Sequence, residues 1–391
     1  MAGTYFDYVI VGASRAGVSC AEGIRSLDSS GSVLLISREK VLPYKRTKLS
    51  KELHNNYGDQ DFLLHPPGWY EEQRITVYLG AEAVDLAPHI YTLFLADGRK
   101  IAYGRLCIAS GASPLEIPDP APVRYLREKS EGQSIFREAR DWQRVCVVGN
   151  GIQGVELAEQ FKLMGKEVDL TGPDSRPMAS RVDPAMSKLI EQDLLDHGVH
   201  VRNRYTLNDT GDMDTWDGIV ASVGINPAAR WLNDSGIETL SGVVIDTRCR
   251  TSEAEIYAAG DIAEPVFPFT SGLWHSAEYQ GFTAGINMAG GEAELEQKPF
   301  RLKLDLFDRH FYALWYNPAL EADPGVESVK LRQDRDMEYC RIFHRGDDFV
   351  SALYCGDPSI GKTIITPLVR RGAAFREIVE GIEKRHAVRP V

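Results

Sequence analysis

The sequence Val145-Cys146-Val147-Val148-Gly149-Asn150-Gly151-Ile152-Gln153-Gly154-Val155-Glu156 decides the fold. It begins with apolar residues typical of a buried strand, continues with the spacing G-x-G-x-x-G, and leads into a helical pattern that runs to Leu163. Glycines at this spacing form a tight turn and let the start of the helix approach a pyrophosphate. The stretch predicts a dinucleotide-binding unit with contacts at Gly149, Gly151, Ile152, Gln153 and Gly154.

A related pattern lies near the N-terminus, where the apolar run 8–11 meets Gly12-Ala13-Ser14-Arg15-Ala16-Gly17 and a helical pattern follows to Leu27. A second apolar run, 33–36, completes a βαβ unit, and Glu39 after it is placed to bind a ribose. Ser14 replaces the middle glycine, which weakens the match because a side chain stands where backbone approaches phosphate. Alone, this turn is explained equally well without a ligand. With a ligand, its contacts are Gly12, Ser14, Arg15, Ala16, Gly17 and Glu39.

Two such units predict two dinucleotides, and the natural pair is a flavin and a nicotinamide cofactor. The acid that would hold the NADH ribose is missing from the second unit, whose strand 168–170 ends in Thr171-Gly172. Asp174 can substitute for that acid, whereas Arg176 can meet the 2′-phosphate of NADPH. We expect NADH and keep NADPH as the alternative.

The composition excludes several classes of protein. The chain has 391 residues, 43% of them apolar and 26% charged, which suits two or three globular domains. No apolar run approaches the ~20 residues of a membrane span, so we expect no membrane partner. The net charge of -12 argues against nucleic acid as a partner. Residues 5–12 read as a strand and not as a targeting signal, so we expect a cytoplasmic protein.

The six cysteines, at positions 20, 107, 146, 249, 340 and 355, are scattered and contain no C-x-x-C pair. This argues against a disulfide framework and against a zinc or iron-sulfur site, so no metal is expected. Cys20 falls in the first helical pattern, and Cys107 and Cys146 fall in apolar strands. They are best interpreted as small core residues.

Further segments resemble the FAD-dependent pyridine nucleotide oxidoreductases, in the branch that contains NADH:rubredoxin and ferredoxin reductases and the flavin part of nitrite reductases. Residues 43–51 are similar to the family's flavin loop P-Y-x-R-P-x-L-S-K, with Thr47 in place of a proline. Segments 109–114 and 221–227 resemble its A-T-G-x-x-P crossovers. Residues 251–261 match its second FAD motif, T-x(5)-Y-A-x-G-D, and residues 274–281 its W-x-x-A-x-x-Q-G helix start.

The resemblance implies roles for individual residues. Asp261 would bond the ribityl chain of FAD, and the helix that starts at Trp274 would point its positive end at the flavin's pyrimidine ring. Lys51 and Glu156 would approach each other beside flavin N5, where the lysine favours the arriving negative charge. Further FAD contacts are implied at Arg46, Lys51, Ala109, Ser110, Gly111 and Gly260, and a nicotinamide contact at Gly224.

In this family hydride passes from nicotinamide C4 to flavin N5. Its disulfide reductases carry cysteine in the segment that here reads Val41-Leu42-Pro43-Tyr44, which has none. The resemblance therefore implies electron transfer directly from flavin to a small electron-transfer protein of the rubredoxin or ferredoxin type, by a monomer or homodimer. Two alternatives stay open: an NADH oxidase that reduces oxygen, and a redox-sensing scaffold resembling apoptosis-inducing factor.

A basic loop runs from Arg38 to Lys51, with six cations against the single acid Glu39. It could steer an acidic electron-transfer partner toward the flavin. Contact with FAD phosphates or with water explains the same charges at least as well.

The C-terminal part changes pattern. Apolar residues alternate from Phe300 to Leu306, a hairpin is expected over 337–354, and a helix over 373–384. Residues 356–363 fit the P-loop spacing G-x(4)-G-K-T, but they follow a hairpin strand and precede Pro367, so we expect a chance turn. The predicted class is α/β, with two Rossmann-like (three-layer) nucleotide-binding domains and a C-terminal α+β domain. We expect a discontinuous FAD-binding domain over 1–112 and 243–298, an NAD(P)H-binding domain over 113–242, and a C-terminal α+β interface domain over 299–391.

Overall fold

The computed structural model describes residues 4–58, 62–117, 122–206, 215–267, 272–298, 300–331 and 337–387. Its first part forms a mostly parallel sheet in which β2 is buried on both faces, as expected for a strand covered by helices on each side. The elements are β1 (Thr4–Val11), α1 (Arg15–Leu27), β2 (Val33–Ser37), α2 (Pro67–Glu72), β3 (Ile75–Leu79), β4 (Ala83–Ala87), β5 (Thr92–Leu95) and β6 (Lys100–Ile108).

The order in this sheet is β3-β2-β1-β6, all parallel. The hairpin β4-β5 joins the first residues of β6 antiparallel. The strand 256–258, described below, pairs in parallel with its last residues. The carboxyl ends of β1 and β6 therefore lie together, which brings the first glycine turn beside residues 109–111.

The middle of the chain forms a second sheet, which is parallel throughout in the order β11-β10-β9-β12-β8. A short antiparallel pair, β7 with β13, lies outside it. The elements are β7 (Ala112–Pro114), β8 (Val123–Tyr125), α3 (Lys129–Glu138), β9 (Arg144–Val148), α4 (Ile152–Leu163), β10 (Glu167–Gly172), α5 (Pro184–Asp196), β11 (Val199–Asn203), β12 (Gly218–Ala221) and β13 (Ile225–Pro227).

The chain then returns to the first sheet with β14 (Ile256–Ala258) and α6 (Trp274–Met288). Helices α6 and α1 pack backbone to backbone. A Cβ atom on Gly281 would stand 2.1 Å from the carbonyl oxygen of Ala16, and one on Gly285 would stand 2.1 Å from that of Cys20. This close packing fixes the start of α6 beside the first glycine turn.

The C-terminal part is an antiparallel sheet in the order β15-β16-β19-β18-β17. One face packs on α4 and α5, and the other is covered by the last helices. The elements are β15 (Arg301–Leu306), β16 (Arg309–Leu314), β17 (Glu327–Lys330), β18 (Met337–Arg345), β19 (Asp348–Gly356), α7 (Pro358–Ile360), a π-helical turn (Gly361–Ile365), α8 (Thr366–Arg370) and α9 (Phe375–Ala387).

The predicted fold class is confirmed, including the hairpin and the final helix. The prediction of a chance turn over 356–363 is wrong, because the segment is helical from Pro358. The Asp357 side chain accepts a hydrogen bond from the backbone N–H of Ser359 and so caps this helix. The domain boundaries remain a proposal. Within the described ranges, no helix is long and apolar enough to cross a membrane.

Candidate functional site

Two glycine turns, one per parallel sheet, have the same geometry. Gly12 and Gly149 both have φ of +112°, which side chains rarely adopt. A Cβ atom on Gly12 would lie 2.1 Å from the Ala109 carbonyl oxygen, and one on Gly149 would lie 2.1 Å from that of Ser222. Each turn therefore touches the backbone of the neighbouring crossover segment, and only glycine fits at its first position.

The middle position of each turn is different, because the protein itself does not require glycine there. Gly151 precedes α4 with an extended backbone, and a Cβ atom on it would meet nothing within 4 Å. Ser14 holds the same place before α1, also extended, and its side chain does not cap the helix. Both helices therefore begin without a side-chain cap and leave N–H groups for a phosphate. The turns fit two dinucleotides, and Ser14 is compatible with this.

The predicted ribose carboxylate, Glu39, is surrounded by donors beside the first turn. The Arg46 guanidinium pairs with it, and the Tyr44 hydroxyl donates to it at 2.7 Å. Burial raises the pKa of Tyr44, so this hydroxyl stays a donor. Arg46 also donates to the Ser14 hydroxyl at 3.1 Å. The structure thus brings Glu39, Arg46 and Ser14 together, while the ribose contact stays a prediction.

Arg127 is a residue of this site that the sequence analysis missed. Its guanidinium lies 2.6 Å from the Asp261 carboxylate and donates to the Ala112 carbonyl at 3.1 Å, while its own carbonyl accepts from Arg46. It thereby joins the flavin loop to the second FAD motif. No local pattern marks Arg127, which lies 134 positions from Asp261.

The crossover segment and the second FAD motif follow two adjacent strands, β6 and β14. The Gly260 N–H donates to the buried side chain of Gln280 at 2.7 Å, and Gly260 itself has φ of +82°. The Ser110 hydroxyl is buried and has no hydrogen-bond partner. A buried polar atom without a partner is costly, so Ser110 indicates a ligand. Gly111 follows Ser110 with φ of +73°, and Trp274 is the first residue of α6.

The predicted contact between Lys51 and Glu156 is present. Lys51 Nζ lies 3.1 Å from Glu156 Oε1, and the Ser50 hydroxyl donates to the other carboxylate oxygen. The Glu156 side chain is 6% exposed, and this burial raises its pKa, while the Lys51 charge and the Ser50 hydrogen bond lower it. A lysine from the flavin loop is thus held by a buried carboxylate on α4. Its catalytic role stays a prediction.

The second turn is held by its own side chains. Gln153 donates to the Leu126 carbonyl at 2.9 Å and accepts from the Ser222 hydroxyl at 2.8 Å. Arg176 donates to two backbone carbonyls of its own loop, those of Val182 at 2.9 Å and Ala179 at 3.2 Å. A guanidinium occupied in this way has fewer donors for a 2′-phosphate. Ile152 begins α4, and Gly224 has φ of +121° at the crossover.

All six cysteines are free and buried. Burial raises the pKa of Cys146 to about 12 and that of Cys340 to about 12, so these thiols stay protonated at neutral pH. Within the described residues, no group of His, Cys, Asp and Glu is suited to hold a metal ion. The thiols are placed as core residues, as predicted for Cys20, Cys107 and Cys146.

The basic loop is largely neutralised by the chain itself. Arg38 pairs with Glu128, Arg46 with Glu39, Lys48 with Glu52 at 4.0 Å, and Lys51 with Glu156. Cations that are already paired contribute little to the long-range field that guides a partner. These contacts weigh against a steering role for the loop.

Comparison with known proteins gives consistent similarities. The sequence profile of the family described as pyridine nucleotide-disulphide oxidoreductase matches residues 6–281. The NADH-rubredoxin oxidoreductase of Clostridium acetobutylicum is 28% identical over 291 residues, which is 74% of this chain and 76% of that protein. A ferredoxin–NAD(P)(+) reductase of a Sphingomonas species is 30% identical over 289 residues, 69% of this chain and 70% of that one.

The likeness extends to the three-dimensional structure. The crystal structure of NADH:rubredoxin oxidoreductase from Clostridium acetobutylicum superposes with a TM-score of 0.77 at 25% identity, over 92% of this chain and 93% of that one. This superposition reaches beyond the segment matched by the family profile. It therefore includes the C-terminal sheet.

Proposed function

The chain belongs to the pyridine nucleotide-disulphide oxidoreductase family, and we propose that it is an FAD-dependent oxidoreductase that passes electrons from NADH to a small electron-transfer protein of the rubredoxin or ferredoxin type. The observation that carries the proposal is the contact between Lys51 and Glu156. It joins the loop that follows the first glycine turn to the helix that follows the second. A site for two dinucleotides thus has a charged pair between its halves.

The residues of the first unit suit FAD. The N–H groups at the start of α1 would hold the pyrophosphate and Glu39 a ribose, because both offer the groups those parts of the cofactor need. Asp261, with Arg127 beside it, and the unpartnered Ser110 hydroxyl would hold the remainder. When bound, FAD supplies the capacity to take a hydride from a nicotinamide and to release electrons singly.

The second unit suits a nicotinamide dinucleotide, which would bind at the turn 149–154 and the start of α4. We favour NADH over NADPH because the Arg176 guanidinium is occupied by two carbonyls of its own loop. Asp174 lies in the same loop with an exposed side chain. A carboxylate there repels a 2′-phosphate and accepts hydrogen bonds from a ribose.

Lys51 and Glu156 have separate tasks in this account. The Lys51 ammonium group favours the negative charge that arrives with the hydride. The Glu156 carboxylate, buried and bound by Ser50, fixes the position of that ammonium group. No general acid or base is required, because the chain's task is to hold two ring systems in contact.

The type of acceptor is proposed from the names of the relatives, together with the sequence of segment 41–44. Segment 41–44 contains no cysteine, and the six thiols are buried in cores. Electrons would therefore leave without a sulfur relay. Two of the relatives described above are named for their acceptors, rubredoxin in one and ferredoxin in the other.

The test is acceptor reduction by the purified holoenzyme. With NADH supplied under anaerobic conditions, we expect rapid reduction of rubredoxin or ferredoxin and much slower turnover with NADPH. Turnover with air and not with either protein would identify an NADH oxidase. Slow flavin reduction with no acceptor turnover would identify a redox-sensing scaffold. Either of these results would refute the proposal.

A further inference from the structure

The loop between β10 and α5, residues 173–182, carries Asp174 and Arg176, the side chains to which we assign the choice between NADH and NADPH. It follows the carboxyl end of a parallel strand, which is where such folds bind the ribose of a dinucleotide. Asp174 is exposed, and the Arg176 guanidinium donates to the Val182 carbonyl at 2.9 Å. The shape of the loop therefore sets where a carboxylate can meet the ribose.

The loop is attached at both sides to the elements that border it. The Ser187 hydroxyl, near the start of α5, donates to the Pro177 carbonyl at 2.5 Å. The Met178 N–H donates to the carbonyl of Asn150, in the second glycine turn, at 2.8 Å. The position of the loop thus depends on how the start of α5 is held relative to the glycine turn.

Asp183, the residue before α5, accepts hydrogen bonds from three donors. One is the Met186 N–H at 2.9 Å, by which Asp183 caps the helix. The other two come from strand β18 of the C-terminal sheet: the Tyr339 hydroxyl and, at 2.9 Å, the Arg341 guanidinium. The side chain of Asp183 is 1% exposed and that of Arg341 is 16% exposed. Hydrogen bonds to a charged group are strong where water is largely excluded.

The two donors on the sheet are themselves held in place. The Arg341 guanidinium meets the Glu321 carboxylate with two hydrogen bonds, at 2.7 and 3.0 Å, and the Tyr316 hydroxyl donates to the same carboxylate at 3.2 Å. Burial and the hydrogen bond to Asp183 raise the pKa of Tyr339, so its hydroxyl remains a donor. The C-terminal sheet therefore fixes the position of the Asp183 carboxylate.

We propose that Asp183 is a positioning residue, through which the C-terminal sheet holds the loop 173–182 in the shape that binds the adenosine ribose of NADH. This inference rests on the proposed nicotinamide site and gives the C-terminal sheet a part in cofactor binding. Asp183 itself needs no contact with the cofactor. If the start of α5 is released, the loop must be ordered each time a dinucleotide binds, which weakens binding. The chemistry beside Lys51 and Glu156 is then unaffected.

The test is calorimetric titration of the oxidised holoenzyme with ADP-ribose, which contains the adenosine ribose but no nicotinamide. Tyr339→Phe and Arg341→Met should each weaken ADP-ribose binding by about fivefold, because the loop has to be ordered on binding. Tyr339→Phe is the milder change, since Asp183 keeps its other two donors. Unchanged binding of ADP-ribose by either variant would overturn the proposal.

Steady-state and stopped-flow kinetics separate positioning from a general disturbance of the fold. In both variants the KM for NADH should rise by a factor similar to the loss of ADP-ribose affinity. The rate of FAD reduction at saturating NADH should stay unchanged, because the loop acts on binding alone. A lower rate at saturation with an unchanged KM would overturn the proposal.

Arg309→Met is the matched control. Arg309 also lies on the C-terminal sheet and also pairs with a buried carboxylate of α5, that of Asp193 at 3.4 Å. Asp193 stands near the other end of the helix, away from the loop. Arg309→Met should therefore bind ADP-ribose as the parent does. Weakening equal to that in Arg341→Met would show that any loosening of the sheet has this effect, and would overturn the proposal.

A double substitution tests whether the effect passes through the loop. In an Asp174→Ala background, Tyr339→Phe should weaken ADP-ribose binding much less than in the parent, because the carboxylate that the loop positions is gone. Fully additive effects would overturn the proposal and leave the nicotinamide site standing. A parent chain that does not bind ADP-ribose would refute the nicotinamide site itself, and this inference with it.

Discussion

Lys51 and Glu156 bring opposite charges into contact at a place where the carboxylate is almost fully buried. Because the pair is held by one hydrogen bond from Ser50, its geometry is set by three side chains from two parts of the chain. A fixed charge of this kind stabilises developing negative charge better than mobile water does. Substitution of a residue in this pair therefore tests the proposed hydride transfer.

We predict that Lys51→Ala slows reduction of bound FAD by NADH by about tenfold or more, because the cation beside the buried carboxylate is lost. Stopped-flow loss of the visible flavin absorbance measures this rate. Lys48→Ala is the matched control, since Lys48 lies in the same loop but pairs with Glu52. An unchanged rate in Lys51→Ala, with an unchanged Tm, would remove Lys51 from the mechanism.

A second prediction at the residue scale concerns Arg127 and the retention of FAD. We predict that Arg127→Met lowers the FAD retained per chain after gel filtration, because Asp261 and the Ala112 carbonyl lose a common partner. Arg124→Met serves as the control, since Arg124 pairs with Glu138 and donates to the Pro122 carbonyl, and neither contact involves Asp261 or Ala112. Equal FAD content in the two variants would show that Arg127 has no part in the cofactor site.

Some site residues are recognisable in the sequence because local geometry demands their residue type, while their binding roles stay predictions. Gly12 and Gly149 are examples, because no other residue tolerates their backbone angle and their contact with a neighbouring carbonyl. Arg127 could not be found in this way, because its partner Asp261 is brought to it only by the folded sheets.

At the scale of elements, the first glycine of the second turn is needed for folding, and we expect its middle glycine to matter for ligand binding. We predict that Gly149→Ala lowers the Tm, since its Cβ would meet a carbonyl oxygen at 2.1 Å. Gly151→Ala should keep the Tm and raise the KM for NADH, because its Cβ enters only the space kept for the ligand. Thermal melting and steady-state kinetics distinguish the two. A lower Tm in Gly151→Ala with no change in KM would contradict this division.

The connection between α1 and β2 gives a prediction of pH dependence. Asp28 accepts hydrogen bonds from the N–H groups of Gly31 and Ser30 and from the Tyr8 hydroxyl, and these bonds lower its pKa. Its carboxylate therefore stabilises the fold above its ordinary pKa of about 3.9, and this contribution is lost as the pH falls toward the lower pKa of the folded state.

We predict that Asp28→Ala lowers the free energy of unfolding by about 1 kcal/mol at pH 7, a value that allows for partial exposure of the carboxylate. The difference from the parent should shrink as the pH falls below about 4. Urea unfolding at several pH values measures both. A difference that grows toward low pH would contradict the assignment.

The starts of two helices show what sequence patterns alone do not determine. The sequence pattern after the second turn predicts a helix over 155–163, whereas α4 begins at Ile152, because Gly154 lies within its first turn and Gly151 directly precedes it. The P-loop spacing at 356–363 was assigned to a turn. Its helix depends on the Asp357 cap and on Gly361 packing against the Tyr312 ring, which is a tertiary contact.

At the scale of the whole molecule, one glycine turn follows β1 in the first sheet and the other follows β9 in the second sheet. The third sheet packs on α4 and α5. The order of strands was predictable because repeated βαβ patterns allow few arrangements. The packing of the third sheet was not, since alternating apolar residues indicate a buried face without saying what covers it.

We expect each chain to store only the two electrons of one flavin, because segment 41–44, where the disulfide reductases of the family carry cysteine, has none. The direct test is an anaerobic titration of the holoenzyme with NADH, followed by flavin absorbance. The account predicts complete loss of the flavin band at one equivalent of NADH per FAD, with no further uptake. A requirement for a second equivalent, as for an enzyme with a reducible disulfide, or a flavin that NADH leaves oxidised, would contradict it.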